Sequence, residues 1–188
     1  MRVVGGRLKG RKLAAPEGRE LRPTSDRARQ AVFNIIEHSE LMTRPLEGAT
    51  VLDAFAGTGA IGIEALSRGA AHATFIERES RALVTLASNL RACGLGPALA
   101  EILRADALNP PKARASVDLA FLDPPYREDL APPALAALQS HGWLGDETLI
   151  VLELGARDVF DPPPGFEVRD ERLYGAARVV FLRLKKKN

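Results

Sequence analysis

Cysteine is nearly missing from this sequence: Cys93 is the single thiol in 188 residues. One thiol can close no disulfide framework and can build no cysteine-based zinc site. In Ala92-Cys93-Gly94, at the end of an apolar-periodic segment, it reads as a small buried hydrophobe. Histidine is equally sparse. His38, His72 and His141 are scattered, with no ligand or triad partner at a recognisable spacing, so no metal is expected and no chemistry falls to them. No apolar run reaches the about 18 residues of a membrane span, and the opening Met1-Arg2-Val3-Val4-Gly5-Gly6-Arg7 lacks the continuous apolar region of a secretory signal. A cytoplasmic, reduced protein is the expectation. Internal repeats and long low-complexity stretches are also missing.

What is present suits a single globular domain able to bury its own core, with 46% apolar residues. The formal net charge of +2 conceals an uneven distribution. Residues 1–30 carry nine Lys/Arg against Glu17, Glu20 and Asp26, and residues 178–188 carry five with no acid. The body between is therefore acidic. Basic ends on an acidic body can hold a polyanion at one edge and repel it elsewhere. Lys185-Lys186-Lys187 alone reads as a solvated tail. In the first 30 residues the charges are interleaved with Gly, Pro and Thr, which argues for an ordered docking segment.

From residue 50 onward, short apolar runs alternate with helical patterns. Thr50 to Phe55, Ala73 to Glu77, Glu101 to Leu103, Val117 to Asp123 and Thr148 to Glu153 read as strands buried on both faces. Ala60 to Arg68, stopped by Gly69, and Ser80 to Cys93, stopped by Gly94, read as helices; a shorter one begins near Pro132-Pro133 and ends before Gly142. This alternation predicts an α/β doubly wound, mostly parallel sheet with its ligands beyond the carboxyl ends of the strands. Phe166 to Leu173 and Ala177 to Leu184 are too close together for a crossover helix and predict an antiparallel hairpin. Arg2 to Leu13 reads as a small basic hairpin, and Thr24 or Ser25 as the cap of a helix running to about Glu37. The expected organisation is a basic hairpin-and-helix docking extension over residues 1–40 and a Rossmann-like domain over 41–188.

Gly57-Thr58-Gly59-Ala60-Ile61-Gly62 follows a strand and opens a helix, and Glu77 lies 20 residues after Gly57 at the end of the next strand. That pattern fits a dinucleotide site, but glycines and a strand-end carboxylate serve any adenosine cofactor. Asp53 separates the readings. A carboxylate four residues before the first glycine opposes a pyrophosphate and suits a cofactor carrying an ammonium and a sulfonium. A nicotinamide-dependent oxidoreductase is disfavoured on this ground.

Asp123-Pro124-Pro125-Tyr126 follows the fourth strand. Two prolines fix the backbone and remove two N–H donors, leaving a loop rich in acceptors. A carboxylate and a main-chain carbonyl can each take one hydrogen of an exocyclic amine and turn its lone pair toward an electrophilic methyl, while Tyr126 offers a stacking face.

The segment Asp53-Ala54-Phe55-Ala56-Gly57-Thr58-Gly59 resembles the cofactor loop of class I methyltransferases, which implies S-adenosyl-L-methionine and a seven-stranded sheet. By that resemblance Asp53, Ala56, Gly57 and Gly59 hold the methionine end, Glu77 the ribose, and Asp106 the adenine amine, with Ala54, Phe55, Thr58, Arg78 and Ala107 completing the cofactor set. The tetrad resembles the (D/N)-P-P-(Y/F) motif of amino-methyltransferases acting on adenine N6, cytosine N4 or guanine N2. Val3-Val4-Gly5-Gly6, Gly10-Arg11-Lys12-Leu13, Leu21 to Gln30, Phe33-Asn34 and Glu64 to Ala70 resemble the RsmD family of bacterial 16S rRNA guanine-N2 methyltransferases. The family implies 16S rRNA as partner, in a small subunit assembled or partly assembled, with no obligate protein partner. Arg2, Arg7, Lys9, Arg11, Lys12, Arg22, Thr24, Arg27 and Arg29 are the expected RNA contacts, and Phe33 is expected in the core. The rivals are an adenine-N6 methyltransferase, which would usually need a separate target-recognition domain, and an RNA-binding assembly factor that keeps the fold without activity, against which the intact tetrad argues.

Overall fold

The computed structural model describes residues 1–15, 26–125 and 129–186. A helix α1 (Asp26–His38) precedes a strand–helix series: β1 (Thr50–Ala54), α2 (Ala60–Ser67), β2 (His72–Glu77), α3 (Ser80–Ala92), β3 (Ala100–Arg104), β4 (Leu119–Leu122), α4 (Ala131–Ser140) and β5 (Leu149–Gly155). Strands β6 (Phe166–Tyr174) and β7 (Ala177–Leu184) close the chain. The seven strands form one sheet in the order β3-β2-β1-β4-β5-β7-β6. The first five are parallel and β7 runs antiparallel between β5 and β6. The order reverses between β1 and β4, which opens a crevice at their carboxyl ends.

The apolar runs become strands because both faces of the sheet are covered. Val51, Phe75, Phe121, Val151 and Phe181 pack on one side with α1, α2 and α3; Leu52, Ile76, Leu122, Leu152 and Val180 pack on the other with α4. Cys93 is buried, as its setting predicts. Strand β4 is shorter than its apolar run. Asp118 still bonds through its backbone to Thr50 and Leu149 while its carboxylate takes Thr50 N–H at 2.8 Å, and Asp123 is followed at once by the two prolines, which end the strand. The β6–β7 turn has Tyr174 opposite Ala177, with Gly175 at φ +62°.

The amino-terminal hairpin pairs Arg2 with Lys12 antiparallel around a 3₁₀ turn at Gly6–Leu8, with Val3 N–H donating to the Arg11 carbonyl at 3.0 Å and Leu13 N–H to the Met1 carbonyl at 3.1 Å. It is also tied to the sheet domain. Val4 N–H donates to Glu64, Leu8 N–H to Ser67 Oγ, and Ser67 Oγ–H to the Gly5 carbonyl. A Cβ on Gly6 would lie 1.9 Å from the Ser67 carbonyl oxygen, so only glycine permits this approach. Val3, Leu13, Val32, Phe33 and Ile36 share one apolar cluster with the sheet. Among the described residues, no helix is long and apolar enough to cross a membrane.

Candidate active site

Parallel strands β1 to β5 deliver their carboxyl-terminal residues to one edge. On β1 this is the loop Phe55 to Gly59. Phe55 stands at φ +64°, a conformation a bulky side chain enters only when its surroundings over-determine it. Ala56 N–H donates to the Ile76 carbonyl at 3.0 Å and Gly59 N–H to Ala56 at 2.7 Å, which curls the loop tightly. Gly59, at φ +77°, leads into α2, and a Cβ there would lie 2.3 Å from Leu86. Gly62 lets α2 settle onto β2, since a Cβ would lie 2.3 Å from the Phe75 ring. Over Gly57 the space is open: a Cβ would have only the Phe55 carbonyl nearby, at 3.9 Å.

Carboxylates surround this loop. Glu77, at the end of β2, accepts Gly57 N–H at 2.8 Å on one oxygen and Arg78 and Glu79 N–H at 2.8 and 2.7 Å on the other. It thereby ties the glycine loop to the next strand. Asp53 does not stand open at the loop's mouth; it is 4% exposed beneath it, because its position on β1 points to the α2 side, where it accepts Gly62 N–H at 2.9 Å. Burial pushes its pKa up to about 7, opposed by that N–H and reinforced by Glu77. Beyond β3, Asp106 accepts Leu108 N–H at 2.9 Å and pairs with Arg78 at 2.9 Å. These contacts, the Leu108 N–H foremost, hold its pKa below the ordinary value. Ala107 beside it is buried.

On the far side of the crevice, Asp123, Pro124 and Pro125 leave β4. Asp123 keeps contact with solvent, yet the protein crowded around it, and then Glu153 and Asp53, push its pKa well above the carboxylate range. Tyr126, the fourth member of the tetrad, lies outside the described residues, as do Arg22 and Thr24. Beside the prolines is a cleft of about 190 Å³ walled by Pro124, Pro125, Leu130, Leu154, Val159 and Phe160. Sequence patterning gave no hint of the last two. They sit on an irregular loop where no periodicity marks a function.

The basic amino-terminal residues divide. Arg7, Lys9, Arg11, Lys12 and Arg27 are exposed, and Arg2 is an exposed partner of Asp26 at 3.2 Å. Arg29 is a correction: it is 1% exposed, bonded to Asp26 at 2.8 Å and to the Arg2 carbonyl, with Glu64 at 3.7 Å. Its spacing explains this, because Arg29 falls on the same helical stripe as Val32, Phe33 and Ile36. Sequence reasoning also missed Asn89. Buried on α3, it accepts Ala14 N–H at 2.8 Å and donates to the Thr58 carbonyl at 2.9 Å, joining the basic segment to the glycine loop.

A glycine loop with acids on β1, at the end of β2 and just beyond β3, facing an acceptor-rich Asp-Pro-Pro turn after β4, defines a class I methyltransferase. The chain belongs to the family described as Conserved hypothetical protein 95, whose model matches residues 1–183, and within it to the RsmD family. It is 38% identical over 154 residues to Ribosomal RNA small subunit methyltransferase D of Escherichia coli K12, covering 81% of this chain and 74% of that one. It is also 38% identical over 157 residues to a putative rRNA methyltransferase, YlbH, of Bacillus subtilis, covering 81% and 82%. Among solved structures, a putative methyltransferase of Escherichia coli, yhhF, superposes with a TM-score of 0.84 at 33% identity, over 100% of this chain and 99% of that one. The enzyme class and its methyl donor, S-adenosyl-L-methionine, follow.

Proposed function

We propose that this chain methylates the exocyclic N2 amine of a guanine in 16S rRNA, presented in the small ribosomal subunit, assembled or partly so. The observation that carries the reading is the Asp123-Pro124-Pro125 turn, set across the β1/β4 crevice from the glycine loop. S-adenosylmethionine, when bound, supplies a methyl made electrophilic by its sulfonium. The open face over Gly57 and the acids Asp53, Glu77 and Asp106 fit such a cationic nucleoside better than a pyrophosphate.

The chain's own groups do the rest. Glu77 reaches the ribose side of the crevice and Asp106, oriented by Arg78 and Leu108 N–H, the adenine side. Asp123 and the Pro124 carbonyl each accept one hydrogen of the amine, which turns the nitrogen lone pair toward the methyl. The cleft beside Pro124 suits a planar base drawn out of the RNA, with Phe160 as one wall. No covalent enzyme intermediate is needed. The exposed Arg7, Lys9, Arg11, Lys12 and Arg27, with Arg2 at their side, hold the RNA backbone.

Single-turnover transfer of labelled methyl to small-subunit particles, followed by mass analysis of the rRNA, tests this. Asp123→Ala should bind the cofactor normally and transfer about 10²–10³-fold more slowly. Asp123→Asn, which keeps an acceptor oxygen, should retain more activity. Near-normal transfer by Asp123→Ala, or methyl found elsewhere than on a guanine amine, sinks the reading.

A further inference from the structure

Three carboxylates meet where the crevice opens. Asp53 is in register with Phe121 on β4, and Asp123 leaves that strand directly after Leu122, close enough for Asp53 to act on it. Leu122 is in register with Leu152, so Asp123, on the turn after β4, and Glu153, on β5, each directly follow a paired position, and Glu153 acts on Asp123 too. Asp53 and Glu153 are buried, and both act on Asp123 as like charges. From β2, Glu77 adds a further negative charge toward Asp53. From α2 the group presented to Asp53 is the neutral Gly62 N–H, while Glu64 turns away to Val4 N–H and Arg68. On the loop after β5, Asp158 accepts Gly155 N–H, and Arg178 of β7 is taken by Glu171 and the Asp158 carbonyl. Both charged groups shown to raise the Asp123 carboxyl, Glu153 and Asp53, are acids.

The reaction itself demands a proton acceptor. The amine nitrogen's lone pair forms the N–C bond, the S–C bond breaks with its electron pair going to sulfur, and the nitrogen must then lose one proton. The positive charge passes from sulfur to nitrogen with the methyl and leaves the nitrogen with that proton, which neutralises the carboxylate that accepts it. Resting on the methyl-transfer reading above, we propose that Glu153 positions Asp123 as the acceptor of that proton, and that Asp123 and Asp53 together form a proton store emptied to solvent when the cationic cofactor binds; transfer returns the amine's one proton to Asp123, and loss of the sulfonium lets Asp53 take its proton back from solvent. Direction follows from electrostatics. A cation beside Asp53 and Asp123 favours their ionised forms, and its loss favours the protonated ones. Asp123 contacts the amine; Glu153 acts through Asp123 and is a positioning residue.

Calorimetric titration of the full chain with S-adenosylmethionine and with S-adenosylhomocysteine, in two buffers of different protonation enthalpy, reads the proton directly. At pH 7 the methyl donor should release about half a proton or more on binding, since Asp53 alone titrates near 7. The demethylated product, without the sulfonium, should release clearly less. In single-turnover transfer the rate should rise with pH as Asp123 ionises, and Glu153→Gln should move that rise about one pH unit lower, because it removes a like charge. A merely structural role for Glu153 would lower the rate at every pH and leave the midpoint where it was. Donor binding with no proton release, equal release by donor and product, or an unmoved midpoint in Glu153→Gln each overturns the proposal. Should Glu153→Gln fail to fold, the wild-type comparison of donor and product still decides. If neither ligand binds at all, the methyl-transfer reading fails instead.

Discussion

Asp53 shows at the residue scale how a functional group works against stability. Unfolded, it titrates near 3.8; folded, burial holds it near 7. Between those values the folded chain carries the extra proton, so the stability associated with this group is present at low pH and is lost as pH rises toward and through 7. Asp53→Asn removes that titration and keeps an oxygen for Gly62 N–H. Denaturant unfolding should find it about 1–3 kcal/mol more stable than the parent at pH 8, with the difference shrinking toward pH 5. The same variant should bind S-adenosylmethionine more weakly. Equal stability at both pH values would show that the buried carboxyl carries no such cost.

The decisive element is α2, an apolar helix with one carboxylate inside it. Glu64 is fully buried and ties three parts of the chain together: it accepts Val4 N–H at 2.8 Å and Arg68 Nε–H at 2.7 Å, and faces Arg29 at 3.7 Å. Arg68 in turn lies 5.0 Å from the Phe33 ring centroid and pairs with Glu37 of α1 at 2.7 Å. Glu64→Ala would remove the fully buried partner shared by Arg68 and Arg29, leaving them the more exposed Glu37 and Asp26, and breaking such a buried pair costs about 3–5 kcal/mol. Denaturant unfolding and limited proteolysis should show lower stability with early cleavage inside residues 1–40. Glu64→Gln, which still accepts Val4 N–H, should be milder. Proteolysis unchanged in Glu64→Ala would mean that apolar contacts alone hold the segment.

Across the whole molecule, charge and topology meet at one edge. The exposed Arg7, Lys9, Arg11 and Lys12 belong to the segment that Asn89 joins to Thr58, so the basic surface is tied to the glycine loop of the crevice proposed for methyl transfer. Replacing Arg7, Arg11 and Lys12 together by glutamine should weaken RNA binding. It should also flatten the plot of log affinity against log salt by about 0.7–0.9 per lost phosphate contact, with cofactor affinity unchanged. An unaltered salt slope would move the docking surface elsewhere. Arg29 is left out of this set, since its change would act on folding.

Much of this was readable before any coordinates. The apolar strand runs, the glycine stops and the Asp123 turn depend on neighbours in sequence, and they determined the doubly wound sheet, its carboxyl-edge crevice and the residues on its loops. Glu77 and Asp123 sit where strand-end reasoning puts them, because a parallel sheet sends every strand end to one side. The tertiary structure alone decided the environments. Asp53 and Arg29 have the same side chains in any setting, but strand register turned one beneath the loop and a helical stripe turned the other into the core. The cluster of Asp53, Asp123 and Glu153 draws on positions up to 100 residues apart, and no local pattern relates them. Only the β1-β4-β5 order brings these three acids together, and it is that proximity, with Asp53 and Glu153 buried, that sets how they hold a proton.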